Sequence, residues 1–190
     1  MIVRDSEPGS FDRLAEALAG GQVAIIPCDT MYGIVGVAPD TEDRIRTIKG
    51  RGESKPFLQL VGEATWVTRV SDSPLPPSLS KYWPGPLTIV FPTRQGGTVA
   101  LRLPDSLFLR RLLKAVGRPL YSTSVNRASE DPLVDVAAMR REFERDVDLI
   151  FDAGNLPPGP PSTLVDITVS PYRVLRLGAV QIPPEDLVQT

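Results

Sequence analysis

The chain has 190 residues, 21 Lys and Arg against 23 Asp and Glu, a net charge of −2, and 42% hydrophobic residues. That length suits one domain over residues 1–190 with a sizeable core, and the near-neutral balance argues against a surface given over to nucleic acid while permitting a local basic patch. The absence of histidine excludes Ser-His-Asp and Cys-His catalysis and His-based zinc sites, and a single cysteine, Cys28, excludes an internal disulfide.

In chain order, Ser10 is a candidate N-cap for a helix whose Phe11, Leu14, Ala15 and Leu18 recur at helical spacing, ended by Gly20-Gly21. Residues 23–26 read as a buried strand. Asp40 or Thr41 caps a helix with Ile45 and Ile48 on one face, stopped at Gly50. Residues 57–61 read as a strand and 79–83 as a short helix before the Pro84-Gly85-Pro86 corner. Strands follow at 87–91 and 99–103. Asp105 is the expected N-cap of a helix whose stripe is Leu109, Leu112, Leu113 and Val116, ended by Gly117. A strand at 120–123 precedes a helix capped by Asp135, with Val136, Met139 and Phe143 inward. Strands at 149–151, 163–167 and 173–177 complete the set. Loose alternation of strands and helices, with strands paired near the middle and the end, predicts an α/β domain with a mixed sheet. No apolar stretch approaches the ~20 residues of a membrane span, and the N-terminus lacks signal-peptide features; the expectation is a soluble cytoplasmic protein with no membrane partner.

Five segments carry chemistry. Pro27-Cys28-Asp29-Thr30-Met31-Tyr32-Gly33 leaves a buried strand, and strand C-termini of α/β sheets are where ligands usually bind. Thr30 offers a hydroxyl there, although an ordinary polar turn explains the segment equally well. In Lys49-Gly50-Arg51-Gly52-Glu53-Ser54-Lys55 three cations fall within seven residues. Complementing a helix dipole explains Lys49, but Arg51 and Lys55 lie past the helix, which favours phosphate binding. Ser122-Thr123-Ser124-Val125-Asn126-Arg127 ends a strand in three hydroxyls, an amide and a cation. That run suits phosphates or a carboxylate, or a self-satisfied turn. Strand alternation puts Thr98, Ala100 and Arg102 on one face. A buried Arg102 needs an anion, from a ligand or from a carboxylate such as Asp105. Ser162–Asp166 and Val174–Gly178 look like a hairpin bearing Ser162 and Arg176.

Together these segments resemble the YrdC/TsaC family of threonylcarbamoyl-AMP synthases over nearly the whole chain, from Gly21 to about Val180. The motifs that carry the resemblance are Pro27 to Gly33, Lys49 and Arg51 with Ser124 and Asn126, Trp83-Pro84-Gly85-Pro86-Leu87-Thr88, Arg102-Leu103-Pro104, and Ser162 to Asp166 with Leu175 to Gly178. The resemblance implies a twisted mixed β-sheet with flanking helices around a large concave, positively charged cavity. It also implies a nucleotidyltransferase that makes L-threonylcarbamoyladenylate and pyrophosphate from L-threonine, bicarbonate and ATP, with Mg²⁺ accompanying ATP. The product would serve N6-threonylcarbamoyladenosine in tRNA, making tRNA and tRNA-modification proteins further candidate partners. By the same resemblance, Lys49, Arg51, Ser124 and Asn126 form the catalytic signature. Thr30, Arg102, Ser122 and Ser162 hold threonine. Arg51, Lys55, Thr98, Ser124, Asn126 and Arg176 hold ATP. No protein-held metal is expected.

The sequence departs from the family pattern at Cys28, which replaces a threonine, at Gly52 and Leu60, and at Glu130 to Val134. Loss of Lys49 or Arg51 is expected to abolish product formation with little change in melting temperature. Two other readings compete. One is a YciO-like paralogue, which the intact Lys49/Arg51 and Ser124/Asn126 pairs disfavour. The other is a non-catalytic RNA-binding module, disfavoured by the net charge and the lack of clustered aromatics.

Overall fold

The structure, a computed structural model, describes residues 1–50, 52, 56–156 and 159–188. Among these, ten strands form one mixed sheet. They are β1 (Ile2–Arg4), β2 (Ala24–Pro27), β3 (Tyr32–Val37), β4 (Leu58–Leu60), β5 (Leu87–Pro92), β6 (Thr98–Arg102), β7 (Leu120–Ser124), β8 (Leu149–Asp152), β9 (Thr163–Asp166) and β10 (Arg173–Arg176). Their order across the sheet is β1-β8-β2-β3-β7-β4-β6-β5-β9-β10. Helices α1 (Ser10–Ala19), α2 (Glu42–Lys49), α3 (Pro77–Ser80), α4 (Leu107–Val116) and α5 (Val136–Phe143) flank it. No helix among the described residues is long and apolar enough to cross a membrane.

The two faces of β2 and β3 feed two cores. Ala24, Ile26, Val35 and Val37 pack with Leu14 and Leu18 of α1 and the leucine stripe of α4. Ile25 and Ile34 pack with Ile45 and Ile48 of α2 and Met139 and Phe143 of α5. Each fully buried leucine of α4 contributes roughly 1.5–3 kcal/mol relative to exposure. With helices on both sides, β3 is buried along its whole length, so its sequence lacks the alternation of a half-exposed strand. The sequence reading treated its start as a turn and missed the strand, as it missed the short β1.

Two expected caps are corrected. Gly9, in the left-handed region at φ 71°, precedes α1, while Ser10 is its first residue and donates to Asp5 O at 3.1 Å. Ser106, not Asp105, caps α4, its hydroxyl accepting from Leu109 N at 3.3 Å. Thr41 does occupy the N-cap of α2, but its hydroxyl turns back to Val37 O. Asp135 caps α5 as expected, accepting from Ala137 N and Ala138 N. The short helix before the Pro84 corner runs 77–80 rather than 79–83.

Strand register builds one row of side chains across the sheet. Val35 stands opposite Ser122, Ser122 opposite Leu58, Leu58 opposite Ala100, Ala100 opposite Val90, and Val90 opposite Asp166. Side chains on one face repeat every second residue. Ser124, Thr98, Arg102 and Thr88 therefore share this face with the row.

Candidate active site

That face bounds a cavity of about 710 Å³, a volume typical of small-molecule sites. Thr30, Thr98, Arg102, Ser122, Ser124, Ser162 and Arg176 all line it. They come from five separate stretches of chain, and the sheet register brings them together. Arg51 and Lys55 lie outside the described residues.

Lys49 and Asn126 stand behind the wall rather than on it. Gly50, at φ 61°, ends α2 in a left-handed turn that suits glycine. Lys49 is only 3% exposed; its ammonium donates to Ser124 O at 2.8 Å and to Asn126 Oδ1 at 2.5 Å. Ser124 Oγ donates to the same Asn126 Oδ1 at 2.6 Å, and Asn126 Nδ2 donates to Glu130 O at 2.6 Å. The segment that departs from the family pattern thus anchors Asn126, and its Pro132 reaches the cavity. A buried ammonium is tolerated only with such acceptors. Lys49 therefore has a structural part in this wall, so its loss is expected to cost stability, against the sequence-based expectation of an unchanged melting temperature.

Arg102 is 4% exposed. Its Nη2 forms an ion pair with Asp29 Oδ1, and its Nε donates to Gly85 O at 3.4 Å. Asp29 supplies the anion, and Asp105, the carboxylate suggested by sequence, borders a neighbouring pocket instead. Nη2 is buried against Asp29 and makes no aligned hydrogen bond besides this ion pair.

Across the cavity, Ser162 is buried and its hydroxyl lies 2.7 Å from Thr88 Oγ1. Arg176 Nη2 donates to Ser162 O at 2.9 Å and to Ser162 Oγ at 3.3 Å. Burial, and then the charge of Arg102, lower the Arg176 pKa from its ordinary value. A guanidinium still stays charged at neutral pH, so two cations face one cavity and an anion between them would relieve their repulsion. Gly178 closes this hairpin end, where a Cβ would come 2.1 Å from Pro161 O.

Cys28 also borders the cavity. Burial pushes its thiol up to about 12, which keeps it protonated and poorly nucleophilic at neutral pH. Gly33 packs closely beside it: a Cβ there would sit 3.1 Å from both Cys28 Sγ and Ser122 Oγ, which would have to give way by a few tenths of an ångström. Tyr32 serves the frame, its hydroxyl donating to Gly154 O at 2.8 Å and accepting from Ala153 N at 3.0 Å. Sequence reading overlooked Asp29 as the partner of Arg102 and Thr88 as the partner of Ser162. A polar residue interrupting the apolar run of β5 just after Leu87 was the available signal for Thr88. Among the described residues no group of three or more His, Cys, Asp or Glu is arranged to hold a metal ion.

The Sua5/YciO/YrdC family model, whose description reads telomere recombination, matches residues 16–178. The chain belongs to this family. The matched span contains every cavity-lining residue. A Mycobacterium tuberculosis protein provisionally named threonylcarbamoyl-AMP synthase is 34% identical over 179 residues, which cover 86% of this chain and 82% of that protein. The threonylcarbamoyl-AMP synthase of Coxiella burnetii is 28% identical, covering 91% of this chain and all of its own length. Among solved structures, a variant of Pyrococcus abyssi Sua5 matches with a TM-score of 0.84 at 26% identity over 94% of this chain. This chain spans 57% of that longer protein. Escherichia coli YciO, 22% identical, shares the fold of this Sua5/YciO/YrdC member with a TM-score of 0.81 over 97% of both chains.

Proposed function

We propose that this chain is an L-threonylcarbamoyladenylate synthase, a nucleotidyltransferase that uses L-threonine, bicarbonate and Mg·ATP. The observation that carries the reading is the convergence of Arg102, Arg176 and the hydroxyls of Thr30, Ser122, Ser124 and Ser162 on one cavity. The names of the curated relatives support it, as does a Pyrococcus abyssi Sua5 structure solved with L-threonine.

In this reading the threonine carboxylate faces the Arg102 guanidinium, flanked by Thr30, Ser122 and Ser162. The triphosphate lies toward Arg176, Thr98 and the Lys49–Asn126–Ser124 cluster, with Arg51 and Lys55 assigned by sequence pattern. The threonine amine attacks bicarbonate, forming a carbamate and releasing water. A carbamate oxygen then attacks the α-phosphorus of ATP, and the bond to the β-phosphate oxygen breaks to release pyrophosphate. No covalent enzyme nucleophile is needed. The work is to juxtapose two anions and neutralise their charge, which fixed guanidinium and ammonium groups do well in a water-poor site. Magnesium enters on the triphosphate as part of the substrate, consistent with its habit of using substrate phosphates and few protein ligands. The adenylate would pass its threonylcarbamoyl group to tRNA with the help of other proteins, in the cytoplasm.

Labelled bicarbonate tests this. It should enter an acid-labile adenylate only when threonine and ATP are both present, with matching pyrophosphate release. No product at high enzyme concentration would contradict the reading.

A further inference from the structure

Asp166 is the one carboxylate among the described residues that line the cavity. It ends the row of side chains that runs from Ser122 through Leu58, Ala100 and Val90. At about 4.8 Å per strand, Asp166 stands about 19 Å along the sheet from Ser122. Leu164, two residues back on β9 and on the same face, sits between Thr88 and Arg176. Asp166 is therefore about 7 Å beyond the level of Arg176 along the strand. This end of the cavity is otherwise apolar, lined by Val90, Leu164 and Leu175.

The residue is only 9% exposed, and its two oxygens are used unequally. Oδ1 accepts from Thr168 N at 2.9 Å and from Thr168 Oγ1 at 2.6 Å, which closes the turn that leaves β9. Among the described residues Oδ2 accepts no hydrogen bond; it meets Arg173 Nη2 at 3.9 Å, an ion pair whose arginine is 65% exposed. Oδ1 is committed to the turn, so Oδ2 is the acceptor that this carboxylate offers to the cavity. A shielded carboxylate oxygen is stabilised by donors.

The triphosphate presents acceptors and negative charge, which a carboxylate repels. Threonine and bicarbonate meet at the Arg102 end. The donors left are those of the nucleoside. The adenine amine is flanked by ring-nitrogen acceptors, and side-chain amides, which donate and accept together, suit that edge. The ribose hydroxyls offer donors side by side, and a carboxylate suits them. We propose that Asp166 is a specificity-determining residue of the nucleotide subsite, accepting a hydrogen bond from the ribose hydroxyls of ATP through Oδ2 and so selecting ribonucleotide over deoxyribonucleotide. This rests on the synthase reading.

The test is pyrophosphate release with ATP, 2′-deoxyATP and 3′-deoxyATP by the parent protein and Asp166→Asn, with melting temperatures in parallel. Asparagine keeps an oxygen for Thr168 and puts an amide donor in place of Oδ2, so the turn survives and the acceptor is lost. The parent should favour ATP over at least one deoxy analogue by roughly tenfold or more in kcat/KM, because a site built to bond a hydroxyl rejects the analogue that lacks it. In Asp166→Asn that preference should fall to within about twofold through loss on ATP, with little change in melting temperature. Asp166→Ser, whose hydroxyl holds such a turn more weakly, carries the comparison if Asp166→Asn does not fold. A parent that uses all three nucleotides alike overturns the inference. So does a variant that loses rate equally on all three, as a magnesium ligand or a purely structural group would. An inactive parent refutes the synthase reading and this inference with it, whereas an active parent without ribose discrimination refutes this inference alone.

Discussion

Arg102 and Asp29 meet as a shielded ion pair on the wall of the cavity, yet Arg102 Nη2 remains without a hydrogen bond. The carboxylate balances the charge of the buried guanidinium. Asp29→Asn removes that balance and strands a buried cation, which costs about 3–5 kcal/mol in well-buried pairs. The ligand-free variant should melt at a lower temperature, and threonine should raise its melting temperature more than it raises the parent's. Differential scanning fluorimetry with and without threonine checks this; equal shifts would mean that the threonine carboxylate does not approach Arg102.

Lys49→Ala should lose both activity and stability. The substitution removes the ammonium from Asn126 Oδ1 and Ser124 O and leaves buried acceptors without it, a loss of about 1–3 kcal/mol. Urea denaturation monitored by circular dichroism reads the stability change. An unaltered midpoint would show that Lys49 does not hold this wall.

Gly178→Ala should damage the ATP end of the site without touching a charged group. Its Cβ would collide with Pro161 O, forcing the backbone beside Ser162 and Arg176 to move. The expected result is weaker binding of a non-hydrolysable ATP analogue together with a lower melting temperature, read by calorimetric titration and thermal unfolding. Normal affinity would place Arg176 outside nucleotide binding.

Cys28 predicts a direction at alkaline pH. Its thiol, ordinarily near 9.0, is pushed up by burial to about 12 in the folded protein. The folded state therefore holds the proton where the unfolded chain releases it. Stability from this source is complete below pH 9 and is lost as pH rises toward 12. Stability measured from pH 8 to 10 should fall more steeply for the parent than for Cys28→Ala, and alkylation of the folded protein at pH 8 should be slow. Rapid alkylation would contradict the burial.

Much of the sheet was legible because its strands begin and end at Pro and Gly and its helices show apolar stripes. The leucine stripe of α4 and the Asp135 cap of α5 are read directly from residue spacing. β3 was not legible, since burial on both faces erases alternation and its glycines weaken strand propensity. Site residues were legible where polar groups interrupt apolar runs, as Arg102 and Ser122 do. Their partners were not. Asp29 meets Arg102, and Lys49 reaches Asn126, only after distant strands pair.

The most direct measurement is a crystal structure with L-threonine and a non-hydrolysable ATP analogue bound together. The account predicts both ligands in the cavity bounded by Ser122 and Ala100, with the threonine carboxylate on Arg102 and the phosphates running toward Arg176 and Ser124. Ligands bound elsewhere on the molecule, or an empty cavity at saturating concentrations of both, would contradict it.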